Sequence, residues 1–276
     1  MPVHQNTLAG APCWIEVTTS DVTAARAFYC ALFGWTAEEP NKDLGGYFNF
    51  RKDGVRVAGG MTSQPGMPSV WSVYLNTPDA EKAVAAAEQH GGRVVAPAMP
   101  VADLGVMAVV TDPGGALVGI WQPGKHRGFG VAAEPGAPGW FELHTRDYDG
   151  ALDFYRAVFG WATQTVSDTP EFRYTVMIDP DGPADDNHYA GVMDASVIPD
   201  ALPEGAQAQW GVYFAVGDAD ATVAKAVELG GSLVRAAEDT PYGRLAALAD
   251  PTGAVFKVVG PNVGLDRGTP AGPAAS

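Results

Sequence analysis

The chain has 276 residues, enough for two domains of ordinary size, and 46% of them are hydrophobic, enough to fill a core in each. A formal charge of −15 repels phosphate backbones and anionic lipid, so nucleic acid and membrane surfaces are excluded as partners, and no apolar run is long enough to span a bilayer. Its two cysteines, Cys13 and Cys30, are too few for a disulfide framework, and Met1 is followed by no basic or apolar leader, so a reducing cytoplasm is the expected compartment.

In chain order, Trp14–Thr19 alternates as a short strand. Asp21 is a helix N-cap, Ala24, Phe28 and Leu32 follow at helical spacing, and Gly34 closes the helix. Three strand-like runs come next, near 36–39, Tyr47–Lys52 and Val55–Met61. The pattern then restarts with strand Trp71–Asn76, helix Asp79–His90, the pair Gly91-Gly92, and strands at Arg93–Ala96, Val106–Thr111 and Ala116–Trp121. Strand, helix and three strands, twice over, make two βαβββ modules.

The whole arrangement then recurs. Gly10-Ala11-Pro12-Cys13-Trp14-Ile15-Glu16 answers Gly136-Ala137-Pro138-Gly139-Trp140-Phe141-Glu142, and Phe28-Tyr29 with Phe33-Gly34-Trp35 answers Phe154-Tyr155 with Phe159-Gly160-Trp161, all 126 residues apart. Trp71 to Tyr74 answers Trp210 to Tyr213 at 139, and Asp112-Pro113-Gly114-Gly115 answers Asp250-Pro251-Thr252-Gly253 at 138. The larger offset comes from an extra loop, Asp179 to Asn187. The expected organisation is a first domain at 10–123, a Gly/Pro/Ala-rich linker at 124–138, a second domain at 139–262 and a flexible tail at 263–276. The fold class is α+β: two tandem domains, each a curved, mostly antiparallel sheet cup with outer helices.

The doubled βαβββ pattern, with Ser20-Asp21, Phe28-Tyr29, Phe33-Gly34-Trp35, Gly91-Gly92 and Asp112-Pro113-Gly114-Gly115, resembles the vicinal-oxygen-chelate superfamily of glyoxalases, bleomycin-resistance proteins and dioxygenases, and within it a tandem two-domain bacterial subgroup. The resemblance implies a small-molecule cup and, in many members, a divalent ion held by His, Gln and Glu. Carried onto this chain, the ligand positions are Trp14 and Trp140, seven residues before the capping aspartates Asp21 and Asp147, then Ser72 and Gly211, then Gly119 and Lys257. None of these can hold a metal, and a lysine repels one, so no metal and no cofactor are expected. A displaced set, Glu142, His144 and His188, is the alternative.

Period-2 alternation places Trp14, Glu16 and Thr18 with Ser72, Tyr74 and Asn76 inside the first cup, and Trp140, Glu142 and His144 with Gly211 and Tyr213 inside the second. Glu142, His144, Tyr213, Glu16 and Tyr74 are the candidate catalytic residues. Trp14, Thr18, Ser72, Asn76, Trp140 and Lys257 are the candidate ligand-binding residues. Trp71 and Trp210, one residue out of phase, belong to the core beneath the helices. A carboxylate against an indole in a partly dry pocket has its pKa raised, which suits proton transfer. The expected function is binding of a small, partly hydrophobic or aromatic metabolite in a metal-free cup and its conversion by acid/base chemistry of isomerase, lyase, dehydratase or cyclase type. Glu142 would be the base and His144 or Tyr213 the acid. The alternatives are a binding protein that sequesters an aromatic compound by stacking and a metal-dependent lyase or dioxygenase. Pairing of two domains in one chain suits a monomer, with a homodimer as the other arrangement.

Overall fold

A computed structural model describes residues 8–183, 187–198, 201–202 and 204–263. Nearly all of the expected tail, and the centre of the extra loop, lie outside these residues. The first domain runs β1 (Pro12–Thr19), α1 (Val22–Phe33), β2 (Thr36–Ala37), β3 (Phe48–Lys52), β4 (Val55–Thr62), β5 (Val70–Asn76), α2 (Ala80–Gln89), β6 (Arg93–Val101), β7 (Gly105–Thr111) and β8 (Leu117–Pro123). The second runs β9 (Pro138–Thr145), α3 (Tyr148–Phe159), β10 (Ala162–Thr169), β11 (Phe172–Ile178), β12 (His188–Asp194), β13 (Ala208–Ala215), α4 (Ala219–Glu228), β14 (Ser232–Thr240), β15 (Gly243–Ala249) and β16 (Val255–Gly260).

Each domain is one eight-stranded sheet. The orders are β2-β3-β4-β1-β5-β8-β7-β6 and β10-β11-β12-β9-β13-β16-β15-β14, so the first strands of the two modules lie side by side at the centre. In each module the first strand pairs parallel with the last, as β1 does with β4, and the remaining pairs are antiparallel. All four helices start on an aspartate whose carboxylate accepts a first-turn amide: Asp21 from Ala24, Asp79 from Lys82, Asp147 from Gly150 and Asp218 from Ala221. Gly34 closes α1 at φ 71° and Gly160 closes α3 at φ 69°, a left-handed conformation that glycine adopts without a Cβ penalty.

The repeated motifs turn out to join the domains. Phe28 of α1 packs on Phe256 of β16, with ring centroids 6.0 Å apart, and Phe33 packs on Phe214 of β13 at 4.8 Å. Tyr29 donates to Asp250 Oδ2 at 3.0 Å and accepts from the Trp71 indole at 2.8 Å. Tyr155 of α3 repeats this in reverse, donating to Asp112 Oδ2 at 3.2 Å and accepting from Trp210 at 2.8 Å. Trp71 and Trp210 are therefore core residues that also satisfy the buried phenols. Trp35 and Trp161 donate to the backbone carbonyls of Gly136 and Gly10. One continuous hydrophobic core spans both domains.

Candidate functional site

The second cup is built on β9. Alternation turns Phe141, Leu143 and Thr145 into the core and presents Trp140, Glu142 and His144 on the other face. Antiparallel pairing sets Gly211 of β13 opposite Glu142 and Tyr213 opposite Trp140, and parallel pairing of β13 with β16 sets Lys257 beside Tyr213. On the other flank, β12 places Gly191 beside Glu142, and Tyr174 of β11 reaches across that glycine.

Four side chains, His144, Tyr174, Tyr213 and Lys257, thus meet at the Glu142 carboxylate. Glu142 Oε1 accepts from Tyr213 at 2.8 Å and lies 2.7 Å from His144 Nε2, while Oε2 accepts from Tyr174 at 2.8 Å. Trp140 donates to the Tyr174 hydroxyl at 3.0 Å. Lys257 Nζ lies 2.6 Å from His144 Nε2, 2.9 Å from the Tyr213 hydroxyl and 3.8 Å from Glu142 Oε1. Glu142, His144, Tyr174 and Tyr213 are buried, and Lys257 is half-buried.

Burial raises the Glu142 carboxyl, but the hydrogen bond and charge of His144, the Lys257 ammonium and the Tyr174 hydroxyl outweigh it, and the group is held well below the ordinary carboxylate range. The raised pKa expected for a carboxylate in this pocket is therefore reversed at Glu142, and a strongly ionised, fully hydrogen-bonded carboxylate is a poor base. Burial, reinforced by Glu142, holds Tyr174 and Tyr213 well above the ordinary phenol value, so both are neutral donors. Burial brings Lys257 down to about 8, with Glu142 opposing and Arg235 assisting the fall.

His144 is the pivot. Its Nδ1 lies 3.0 Å from the Ala201 carbonyl oxygen, which only accepts, so Nδ1 carries a hydrogen. An uncharged ring then accepts at Nε2 from the Lys257 ammonium, whereas a charged ring donates from Nε2 to Glu142. Nε2 cannot do both, so a single proton has two addresses: Lys257 or His144.

The first cup keeps only part of this. Tyr74 donates to Glu16 Oε1 at 2.7 Å, Tyr47 is also hydrogen-bonded to Glu16, and Trp14 donates to Tyr47 at 2.8 Å. Thr18 stands where His144 stands in the second cup, and Gly119 stands in place of Lys257, with the Tyr74 ring filling the space. Arg56 acts on Tyr47 and His126, but no cation is matched to Glu16 as Lys257 is to Glu142, and burial prevails over the two phenols and raises the Glu16 pKa, in the expected direction. His126 of the linker packs edge-on against Trp14 at 4.4 Å, and burial lowers its pKa to about 4. The two copies thus hold the same carboxylate in opposite electrostatic settings.

Ser72 is half-buried opposite Glu16, and Thr18 is half-buried at the end of the same face. Asn76 departs from its expected place: it is buried, and its amide donates to the Leu8 carbonyl, tying down the segment before β1 rather than facing a ligand. His188 is exposed at the start of β12, three residues before the one beside Glu142, so the displaced metal set does not assemble. Tyr47 and Tyr174 are the residues the sequence reading missed. Their signal was a mid-strand glycine recurring as Ala58-Gly59 and Ala190-Gly191, the mark of a close approach. A Cβ on Gly59 would stand 1.9 Å from the Tyr47 hydroxyl, and one on Gly191 would stand 2.0 Å from that of Tyr174. An open groove of about 530 Å³ between α2 and α3, lined by Lys82, Ala83, Ala86 and Ala157, lies away from both cups.

Comparison with known proteins agrees with this architecture. Residues 13–120 match the family described as Glyoxalase/Bleomycin resistance protein/Dioxygenase superfamily, and residues 140–259 match the Glyoxalase-like domain. The chain belongs to the glyoxalase/bleomycin-resistance/dioxygenase superfamily, with two such domains in tandem. It is 41% identical over 266 residues to the "Anthracycline biosynthesis protein DnrV" of Streptomyces peucetius, covering 91% of this chain and 93% of that one. It is 37% identical over 268 residues to the "Putative glyoxylase CFP32" of Mycobacterium bovis, covering 95% and 98%. Among solved structures, the Mn(II)-bound glyoxalase from Novosphingobium aromaticivorans superimposes with a TM-score of 0.61 at 14% identity, over 92% of this chain and 82% of that one, a likeness of fold.

These residues do not fit the metal that the superfamily implies. Trp14, Ser72, Gly119, Trp140 and Gly211 supply no usable ligand. In the second cup the Lys257 ammonium lies among His144, Glu142 and Tyr213, on the ground a cation would need. Among the described residues, no three His, Cys, Asp or Glu side chains converge as a ligand set.

Proposed function

We propose that the second cup binds a small carbonyl-bearing or aromatic metabolite and converts it by acid/base chemistry in which no metal takes part. The observation that carries this reading is the position of His144 Nε2, 2.7 Å from Glu142 and 2.6 Å from Lys257. In its uncharged form His144 accepts a proton, from a carbon beside a carbonyl or from a hydroxyl, and Glu142 stabilises the imidazolium that results. The role of base therefore passes from Glu142 to His144. Lys257 is the cation beside which negative charge on a substrate oxygen can develop. The first cup carries Thr18 and Gly119 in place of His144 and Lys257, which supports a structural or binding role for that domain. Phe172 and Tyr242 at the rim, 5.6 and 6.2 Å from the Tyr174 ring, extend an aromatic wall suited to a flat ligand. Relatives named for anthracycline biosynthesis and as a glyoxylase favour chemistry on a small organic molecule.

We place this activity in the cytoplasm, in keeping with two free cysteines. Among the described residues no helix is long and apolar enough to cross a membrane. Joining both domains in one chain lets a monomer suffice.

Native mass spectrometry of the purified chain identifies a co-purified ligand, whose turnover is then followed with wild type and His144→Asn. Retained binding with lost turnover is the expected result. A bound ligand that no condition converts favours sequestration by the aromatic wall, and a stoichiometric transition metal found by elemental analysis overturns the metal-independent reading.

A further inference from the structure

We propose that Lys257 is a nucleophile whose Nζ bonds covalently to a carbonyl carbon of the ligand, making the second cup an imine-forming site for small aldehydes and ketones. This rests on the acid/base reading above and adds a covalent step to it.

The geometry answers the main difficulty of an amine nucleophile, which is that an ammonium has no free electron pair. Lys257 Nζ is 2.6 Å from Nε2 of His144, which in the uncharged ring is a base aimed at it. The proton it gives up has somewhere to go, because from Nε2 it is donated to Glu142 Oε1 at 2.7 Å. That turns the N–H away from Lys257 and leaves the amine pair free. The hydrogen on Nδ1, held by Ala201, keeps Nε2 as the receiving atom. Lowering of the Lys257 pKa to about 8 by burial works in the same direction. Room for the incoming carbon comes from Gly211, where a Cβ would already stand 3.6 Å from Nζ and where the first domain carries Ser72.

The step balances without any oxidant or reductant. The N–C bond forms as the C=O π pair moves onto oxygen, which takes the proton held by His144. The carbinolamine then loses its hydroxyl with one N–H proton as water, and the nitrogen pair closes the C=N bond. The product is an imine on Lys257 plus one water. Protonated, that imine withdraws electrons from the neighbouring carbon, which is what a proton abstraction or a retro-aldol cleavage requires.

The test treats the full chain with benzaldehyde at pH 7 and reduces it with sodium cyanoborohydride. Labelled lysines are mapped by peptide mass spectrometry, while quenching of tryptophan fluorescence reports binding beside Trp140. Label concentrated on Lys257, at least about tenfold above exposed Lys82 and Lys225, is the expected result. It should be lost in Lys257→Arg with quenching retained, and in His144→Asn it should fall at pH 7 and recover at higher pH, where the amine needs no base. Quenching without selective label overturns the imine and leaves the acid/base reading standing. The absence of both quenching and label overturns the two together.

Discussion

The Tyr174 hydroxyl donates to Glu142 Oε2 at 2.8 Å in a position that only a glycine at 191 permits, since a Cβ there would stand 2.0 Å from that oxygen. Gly59 makes the same allowance for Tyr47 at 1.9 Å. Neither glycine has a positive φ, so the constraint is space rather than backbone conformation. Gly191→Ala and Gly59→Ala should each push a phenol off its carboxylate and cost about 1–3 kcal/mol in urea unfolding, the range for overpacking a tight interior. Gly217→Ala is the control, because nothing lies within 4 Å of its added Cβ, and it should change stability by less than about 0.5 kcal/mol.

The two carboxylates should respond very differently to neutralisation. Glu142→Gln removes the counter-charge from Lys257 and breaks the contact that lets His144 hold a proton. Removing the counter-charge of a half-buried cation together with the charged hydrogen bonds of the carboxylate should cost about 1.5–3 kcal/mol. Among the described residues Glu16 makes no ion pair, and its pKa is raised, so Glu16→Gln gives up hydrogen bonds alone and should cost about 1 kcal/mol. Parallel urea titrations decide this, and equal losses would refute the electrostatic contrast between the cups.

Much of this could be read in advance, and the limits have a physical cause. Alternation along Trp14–Thr18 and Trp140–His144 is local, so it placed Glu16, Glu142 and His144 on the cup face, and the repeat located Tyr74 and Tyr213 on the neighbouring strand. The sign of the Glu142 shift was not legible. It is set first by the hydrogen bond and charge of His144, which alternation puts on the same face without showing that the two side chains bond, and then by Lys257, 115 residues away on β16, which the sequence offered only as a charge hostile to metals. Asn76 kept the period of its strand, yet it sits at the strand end where the backbone of Leu8 claims it. Tyr47 and Tyr174 enter across a neighbouring strand, a contact that no one-dimensional period encodes.

The reciprocal domain junction should not be energetically symmetric. Tyr29→Phe and Tyr155→Phe each strand a buried indole N–H, of Trp71 and Trp210 respectively. Both carboxylates keep bonds at Oδ1 alone, but Asp250 keeps the Thr252 hydroxyl with the Thr252 and Ala254 amides, whereas Asp112 keeps only backbone amides, chiefly that of Ala116. Each variant should lose about 1–3 kcal/mol, with Tyr155→Phe the more damaging by about 1 kcal/mol. The thermal midpoints of the two variants measure the order directly, and the reverse order would mean that Thr252 contributes nothing.

Asp112 also sets a pH dependence with a definite sign. It is 2% exposed at the junction, and burial, only partly offset by the Ala116 amide and the Tyr155 hydroxyl, raises its pKa from 3.8 to about 6. The folded chain therefore keeps a proton that the unfolded chain has already released between these values. Stability from the protonated carboxyl is fully present below pH 3.8 and is lost as pH rises through about 6. An upward shift of this size amounts to about 2.4 kcal/mol between pH 4 and pH 7. Asp112→Asn cannot ionise yet can still accept from Tyr155 or Ala116, so it should be free of that loss. The unfolding free energy of wild type minus that of Asp112→Asn should accordingly fall by about 2.4 kcal/mol over the same interval, with wild type the loser at neutral pH. Urea titrations at pH 4, 5, 6 and 7 give this difference point by point, and a flat or rising difference would show that the buried carboxyl is already ionised in the folded domain pair.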